Sequence, residues 1–221
     1  VSAPSTRLDR CLDAGRDLWE LAQRLPQRRS RISDMALTTL DPKTALIVVD
    51  LQNGIAALPT VHPMGPVAEN AARLAAAFRR AGLPVVLVNV DGGAPGRTEQ
   101  PRRLGDMPPA WTAFMPELDQ QPQDHVVTKR TWGAFTRGDL DQHLAGLGVT
   151  QVVIVGVATS IGVESTARQA YEHGFNVTLA IDAMTDLNLD AHTNSITRIF
   201  PRLGETGTTR EIIALLPITT P

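Results

Sequence analysis

Gln151-Val-Val-Ile-Val-Gly-Val-Ala-Thr-Ser-Ile-Gly-Val163 decides the fold. Its opening run is apolar, rich in β-branched residues and too short for a helix, and from Val163 to His173 the apolar spacing changes to that of a helix. A strand apolar at successive positions is buried on both faces, as in parallel sheets covered by helices on each side. The same alternation extends in both directions along the chain. Apolar runs recur at Ala45–Val49, Pro84–Val88, His125–Val127 and Val177–Ile181, and helix-period segments fall at Val67–Ala81, Asp139–Leu147 and Asp190–Phe200. Gly82, Gly148 and Gly174 stand where a left-handed residue closes a helix. Strands alternating with helices imply right-handed crossovers, which predicts a Rossmann-like three-layer α/β/α domain with an open, mainly parallel sheet of about six strands. Ligands of such sheets bind beyond the carboxyl ends of the strands, so the residues just after each strand are the ones to read for function.

Composition sets the outer limits. The chain has 221 residues, 43% hydrophobic and 20% charged, the balance of an ordinary globular domain. A net charge of -2 argues against a nucleic-acid partner, and no apolar run approaches the roughly 20 residues that span a bilayer. Cys11 is the only cysteine, which excludes an intrachain disulfide and a cysteine-based zinc site and fits a reducing, cytoplasmic setting. Residues 1–34 carry seven Arg against five acidic residues and read as an atypical N-terminal arm ahead of a domain spanning 35–221. Arg7 to Leu25 has the spacing of an amphipathic helix. Two readings of the arm stand: sequence upstream of a native start at Met35, or a real arm that packs on a partner subunit. The stretch from Asp91 to Gln123, rich in Pro and Gly and carrying Trp111 and Phe114, has the length of a lid, a binding loop or a subunit contact, and is the candidate interface of a homo-oligomer.

Three features stand at strand ends. Asp50 follows the first strand, as a turn former or as a catalytic carboxylate. Lys129 follows the third. It is one of only two lysines, with Lys43, among 21 basic residues, so a lysine facing the same crevice as Asp50 stands out in an arginine-rich chain. A lysine is a compact charge suited to partner a carboxylate, although a surface role is the plainer alternative. Gly156 to Val163 follows the fourth strand and leads into a helix, where free backbone N–H groups would face an anionic oxygen or a carbonyl.

In this order and spacing the pieces resemble the isochorismatase-like hydrolases, also called the cysteine hydrolase superfamily. The resemblance runs from about Thr44 to Leu216 and rests on Ala45-Leu-Ile-Val-Val-Asp-Leu-Gln-Asn53, Val127-Thr-Lys-Arg-Thr-Trp-Gly-Ala-Phe135, Val155-Gly-Val-Ala-Thr-Ser-Ile-Gly-Val-Glu-Ser-Thr-Ala167, and Ala180-Ile-Asp-Ala183 with His192. It implies that Asp50 and Lys129 occupy the family's Asp and Lys positions. The nucleophile position falls on Gly162, which has no side chain to attack a carbonyl and so closes the thioester route. It further implies a cis peptide between Val157 and Ala158, and a site wall that includes Ala158 and Ile161. Among family members the glycine version resembles isochorismatase, which cleaves a vinyl ether without a covalent intermediate. That likeness casts Asp50 as general acid and Lys129 as its partner or as a binder of an anionic substrate. Ala158-Thr159-Ser160 departs from the Tyr-Ala-His of isochorismatases, so isochorismate itself is not the expected substrate.

Around this set, Trp132 is placed to stack on a planar substrate or simply to pack, and Phe135 reads as packing. His62, in the loop after Asp50, either lines the mouth of the site or is a loop histidine. Metal-binding relatives carry an Asp with two or more His on the connection after strand two. Here that segment has Asp91 and Asp106 but no histidine, so neither a metal nor another cofactor is expected. The partner expected is a small-molecule substrate. A competing reading makes Ser160 a nucleophile with Asp182 and His192 in the Ser, Asp, His order of α/β-hydrolases. In the plainer alternative Thr159 and Ser160 cap the following helix, Asp182 ends a strand and His192 supports the sheet. A third reading is a ligand-binding member of the family without catalysis.

Overall fold

The computed structural model describes residues 37–99 and 107–217. Cys11 and the helix expected between Arg7 and Leu25 lie outside them. Six strands form one sheet: β1 (Thr44–Val49), β2 (Val85–Val90), β3 (His125–Lys129), β4 (Gln151–Val157), β5 (Asn176–Thr185) and β6 (Glu205–Gly207). Their order is β3-β2-β1-β4-β5-β6 and every pairing is parallel.

Every residue of β1 is buried, because the sheet is covered on both faces. Ala45, Ile47 and Val49 face one core, with Phe135, Leu144 and Ala167. Leu46 and Val48 face the other, with Leu74 and Phe78 of α2 (Met64–Arg80). Short α1 (Asn53–Ala56) precedes α2, and α3 (Pro109–Thr112) lies in the long connection between β2 and β3. The remaining helices are α4 (Leu140–Gly146), α5 (Glu164–Glu172), α6 (Leu189–Asn194) and α7 (Thr209–Leu215). Gly82, Gly148 and Gly174 all have positive φ just past their helices, where the sequence pattern put them. Among the described residues no helix is long and apolar enough to cross a membrane.

The structure departs from the sequence pattern in four places. The helix expected over Asp190–Phe200 is three pieces: α6, a π turn at Ser195–Ile199 and a 3-10 turn at Phe200–Arg202. Pro201 has no N–H to return to the carbonyl of Thr197, so the helical ladder cannot run on. Asp182 does not end a strand. β5 continues to Thr185, and the Asp182 carboxylate accepts from the backbone N–H (2.7 Å) and hydroxyl (2.9 Å) of Thr209 at the start of α7. Thr159 and Ser160 do not cap a helix with their side chains; they open a π turn, Thr159–Val163, that precedes α5. Lastly, the apolar pattern marks none of α1, α3, β6 and α7. A three-residue strand has no periodicity to detect, but Thr208 and Glu211 form a reciprocal capping box that marks the start of α7.

Gly156 shows why β4 needs glycine near its end. Its φ is 123°, a region L side chains rarely adopt, and a Cβ there would run into the carbonyl of Val49 on β1. The register between β4 and β5 also slips beside it, between Ile154 and Gly156. β1 and β4 are neighbours from which the chain departs in opposite directions, toward β2 and toward β5. The crevice between their carboxyl ends holds the candidate site.

Candidate active site

Asp50 is the first residue after β1. Its φ of 54° turns the chain sharply off the sheet, while its N–H still donates to Val88 O of β2 (2.8 Å). Lys129 is the last residue of β3, in register with Val90 of β2. Their side chains meet across the end of β2: Lys129 Nζ donates to Asp50 Oδ2 at 2.7 Å and to Thr131 O at 3.1 Å. Both are buried, Asp50 at 6% and Lys129 at 4% exposure. Asp50 Oδ1 is buried with no hydrogen-bond partner. Burial pushes the Asp50 carboxyl up to about 6, against the opposing pull of the Lys129 ammonium. The pair therefore has one oxygen fixed by a cation and a second left without a partner, on a carboxyl that titrates at about 6.

Gly162 lies in the π turn after β4, and its carbonyl accepts from the Thr166 hydroxyl (2.7 Å). A Cβ built on it would stand 3.1 Å from Asp50 Oδ2 and 3.0 Å from Val49 Cγ1. The three elements singled out in the sequence thus converge, one from the end of each of β1, β3 and β4. The Val157–Ala158 peptide bond is cis. Ala158 and Ile161 are half-buried in this turn. The backbone N–H groups expected to be free are partly spent: Ser160 N donates to Asp186 Oδ2 (2.7 Å), and Ile161 N and Val163 N both donate to Ala158 O. Those three do not form an oxyanion hole, because in a tight turn they close on the turn itself and on a neighbouring carboxylate.

Trp132 is 66% exposed, immediately after the Thr131 whose carbonyl holds Lys129. Phe135 packs in the core, its ring 5.9 Å from that of Phe175. His62 sits at the end of β5: its Nδ1 is 3.1 Å from Thr185 Oγ1, and its ring is 4.8 Å from that of His192. The serine arrangement is not assembled. His192 Nδ1 meets Thr159 Oγ1 (2.8 Å), and the Asp182 carboxylate is taken by Thr209. Trp111 and Phe114 are half-buried against their own chain: Trp111 lies over Gly54 of α1, and Phe114 bridges Gln52. Among the described residues no group of three or more His, Cys, Asp or Glu is arranged to hold a metal ion.

Gln52 and Asp186 also shape the site, although the strand-end pattern does not single them out. Gln52 is wholly buried and stands in for a strand residue: Oε1 accepts from Val90 N (2.7 Å) and Nε2 donates to Val90 O (3.0 Å) and Trp111 O (3.3 Å). It ties the segment after Asp50 to the end of β2 and to the long connection. Asp186, 2% exposed, follows β5; besides Ser160 N it accepts from Leu187 N and Asn188 N. A polar residue two places past a strand-end carboxylate was the available signal for Gln52. Asp186 had none, since it stands among ordinary turn residues.

Fold and site together define an open parallel α/β protein with a buried acid–lysine pair at the β1/β4 crevice. The Isochorismatase domain model matches residues 44–211, and the chain belongs to the isochorismatase family of hydrolases. It is 40% identical over 178 residues to the isochorismatase family protein YwoC of Bacillus subtilis, spanning 77% of this chain and 93% of that protein. The structure of an isochorismatase family protein from Burkholderia thailandensis is similar at 44% identity with a TM-score of 0.79, covering 82% of this chain and 99% of that one. Ureidoacrylate amidohydrolase RutB of Pseudomonas syringae is 32% identical over 200 residues, 76% of this chain and 80% of that protein.

Proposed function

We propose that this chain is a small-molecule hydrolase that works without a covalent nucleophile, with Asp50 as general acid and base and Lys129 as its partner. The observation that carries the reading is the Asp50 carboxyl itself. Oδ2 is held by Lys129 at 2.7 Å, Oδ1 is buried and unpartnered, and the titration is raised to about 6. A carboxyl so placed keeps a proton at mildly acidic pH and has one oxygen left to deliver it. Gly162 offers no thiol, so the attacking group is water.

For a vinyl ether, Oδ1–H protonates the methylene carbon and the C=C electron pair forms the new C–H bond, leaving an oxocarbenium ion. Water adds to that cation and gives up a proton to the Asp50 carboxylate. That transfer restores the acid, and the resulting hemiketal breaks its bond to the alkoxy oxygen as its hydroxyl proton passes to that oxygen, giving the alcohol and a carbonyl compound. Lys129 keeps Oδ2 in place and offsets the carboxylate charge between the two proton transfers. Trp132, His62, Ala158 and Ile161 are the substrate-facing residues of this reading, with no cofactor and no metal. Related C–O or C–N bonds are open to the same acid and water.

The test is a screen of vinyl ethers, enol ethers, small amides and ureas with the wild-type protein and Asp50→Asn. Turnover in the wild type that falls by about three orders of magnitude or more in Asp50→Asn, and that thiol reagents do not inhibit, supports the reading. Equal behaviour of the two proteins, with both binding a ligand, would establish the non-catalytic member instead. The reading includes homo-oligomeric assembly through the segment that carries Trp111 and Phe114, and a cytoplasmic setting; sedimentation of the purified chain tests the assembly.

A further inference from the structure

Beside the acid–lysine pair, a chain of hydrogen bonds runs from α6 through the π turn to β5, and it has a proton inventory. Thr159 Oγ1 is 2.8 Å from His192 Nδ1 and donates at 3.0 Å to Thr185 O. Thr159 and Thr185 are fully buried and His192 is 7% exposed, so water does not readily replace any of these partners. A hydroxyl has one proton, and a carbonyl oxygen can only accept. With the Thr159 proton committed to Thr185 O, both contacts are satisfied only if His192 carries its hydrogen on Nδ1 and donates it to Thr159 Oγ1. We infer that His192 is a positioning residue: its Nδ1–H, relayed by the Thr159 hydroxyl to the end of β5, holds the turn that seats Gly162 against Asp50.

The surroundings support a braced turn. One residue further on, Ser160 N is tied to Asp186 Oδ2 at 2.7 Å. At the other end of the turn Glu164, the first residue of α5, accepts at Oε2 from Ser195 Oγ at 2.6 Å, so α6 and the segment after it touch the turn and its continuation at two points, His192 and Ser195. Burial and the neighbouring His62 lower the His192 titration, while Asp186 opposes them, so the imidazole favours the neutral form that needs one tautomer or the other. Nothing in this chain of bonds reaches substrate. His192 acts through Thr159, and Thr159 through the backbone that carries Ala158, Ile161 and Gly162.

The inference extends the reading of Asp50 as the reacting acid, but its test needs no substrate. Long-range proton–nitrogen NMR on the full chain at neutral pH should show His192 protonated on Nδ1 with Nε2 bare; the opposite tautomer overturns the proposal outright, whatever the variants do. A second measurement reads the carboxyl carbon of Asp50 through a pH titration. Asn places an amide N–H where Nδ1–H stands, whereas Gln places one near Nε2. His192→Asn should keep the wild-type Asp50 midpoint. His192→Gln should lower it by about half a pH unit or more, roughly threefold in proton affinity, as the loosened turn admits water to the carboxyl. An unchanged midpoint in His192→Gln, or an equal change in both variants, would reject the positioning role. Failure of Asp50→Asn to affect turnover would remove the catalytic reading and leave both of these measurements standing.

Discussion

Gly162 is seated on Asp50: a Cβ on the glycine would stand 3.1 Å from the carboxyl Oδ2, with Val49 Cγ1 and Val157 O at 3.0 and 3.1 Å on its other sides. The backbone of the turn thus forms part of the wall that buries the acid. Asp50 is buried because the chain itself closes over it, and the raised titration follows from that burial.

Gly162→Ala should therefore lower stability by about 1–3 kcal/mol, the usual cost of adding a methyl group to a filled space. Three neighbours must each move by a few tenths of an ångström, and two of them belong to β1 and β4, which give little. Urea denaturation at neutral pH checks the loss, and a displaced Asp50 midpoint in the same variant would show that the methyl group presses on the carboxyl.

Stability should fall as pH rises from about 4 to about 6. Folding raises the Asp50 pKa from 3.8 to about 6, so across this window the native state holds a proton that the unfolded chain has released. Stability linked to this group is fully present below the unfolded value and is lost as pH climbs through the folded one. The full swing is on the order of 3 kcal/mol. Denaturant midpoints measured through this range in the wild type, with Asp50→Asn as the flat reference, give the size; an equal slope in Asp50→Asn would assign the effect to other groups.

Lys129→Met should move the Asp50 midpoint above 6, because it removes the ammonium that pulls it down. The accompanying destabilisation depends on pH. At pH 5 the carboxyl is largely neutral and its partner is little missed, while at pH 8 an unpaired buried carboxylate costs about 3–5 kcal/mol unless it takes up a proton. Carboxyl NMR and paired denaturation curves at the two pH values measure both effects.

Gly54→Ala should free the long connection from the segment after Asp50. The Trp111 indole occupies the space where a Cβ would project from Gly54, so the ring must leave. The bonds that clamp the same region, Asn53 N to Ala113 O (2.9 Å) and Gln52 Nε2 to Trp111 O (3.3 Å), would be strained with it. A red-shifted and more quenchable tryptophan emission, with a stability loss of about 1–3 kcal/mol, is expected; Trp111→Phe supplies the spectral assignment.

The sheet was legible because its strands are buried on both faces. Ala45–Val49 and Gln151–Val155 carry that burial in their composition, and the closing glycines of α2, α4 and α5 mark where each helix stops. Asp50 and Lys129 were legible because topology sends every strand end to one edge and because lysine is rare in this chain, whereas Gly162 was legible only through the family resemblance. Gln52 and Asp186 were not, since their roles come from side chains that replace or satisfy backbone groups, which no pattern of apolar residues records. His192 carried a legible identity but not a legible partner: one place in the sequence separates Ser160 from Thr159, and only the turn geometry chooses between them.

The strand order has a consequence for how such a site can change. The chain builds β1, β2 and β3 before it crosses to β4, so the acid and its lysine come from the first half of the domain and the glycine turn from the second. The half that holds the acid–lysine pair and the half that holds the glycine turn are separate stretches of chain, which pair in the sheet only at β1 against β4 and also meet where α2 packs against Ala180 and Ile212. A substitution in the turn therefore changes what faces the acid–lysine pair without altering the strands that carry that pair.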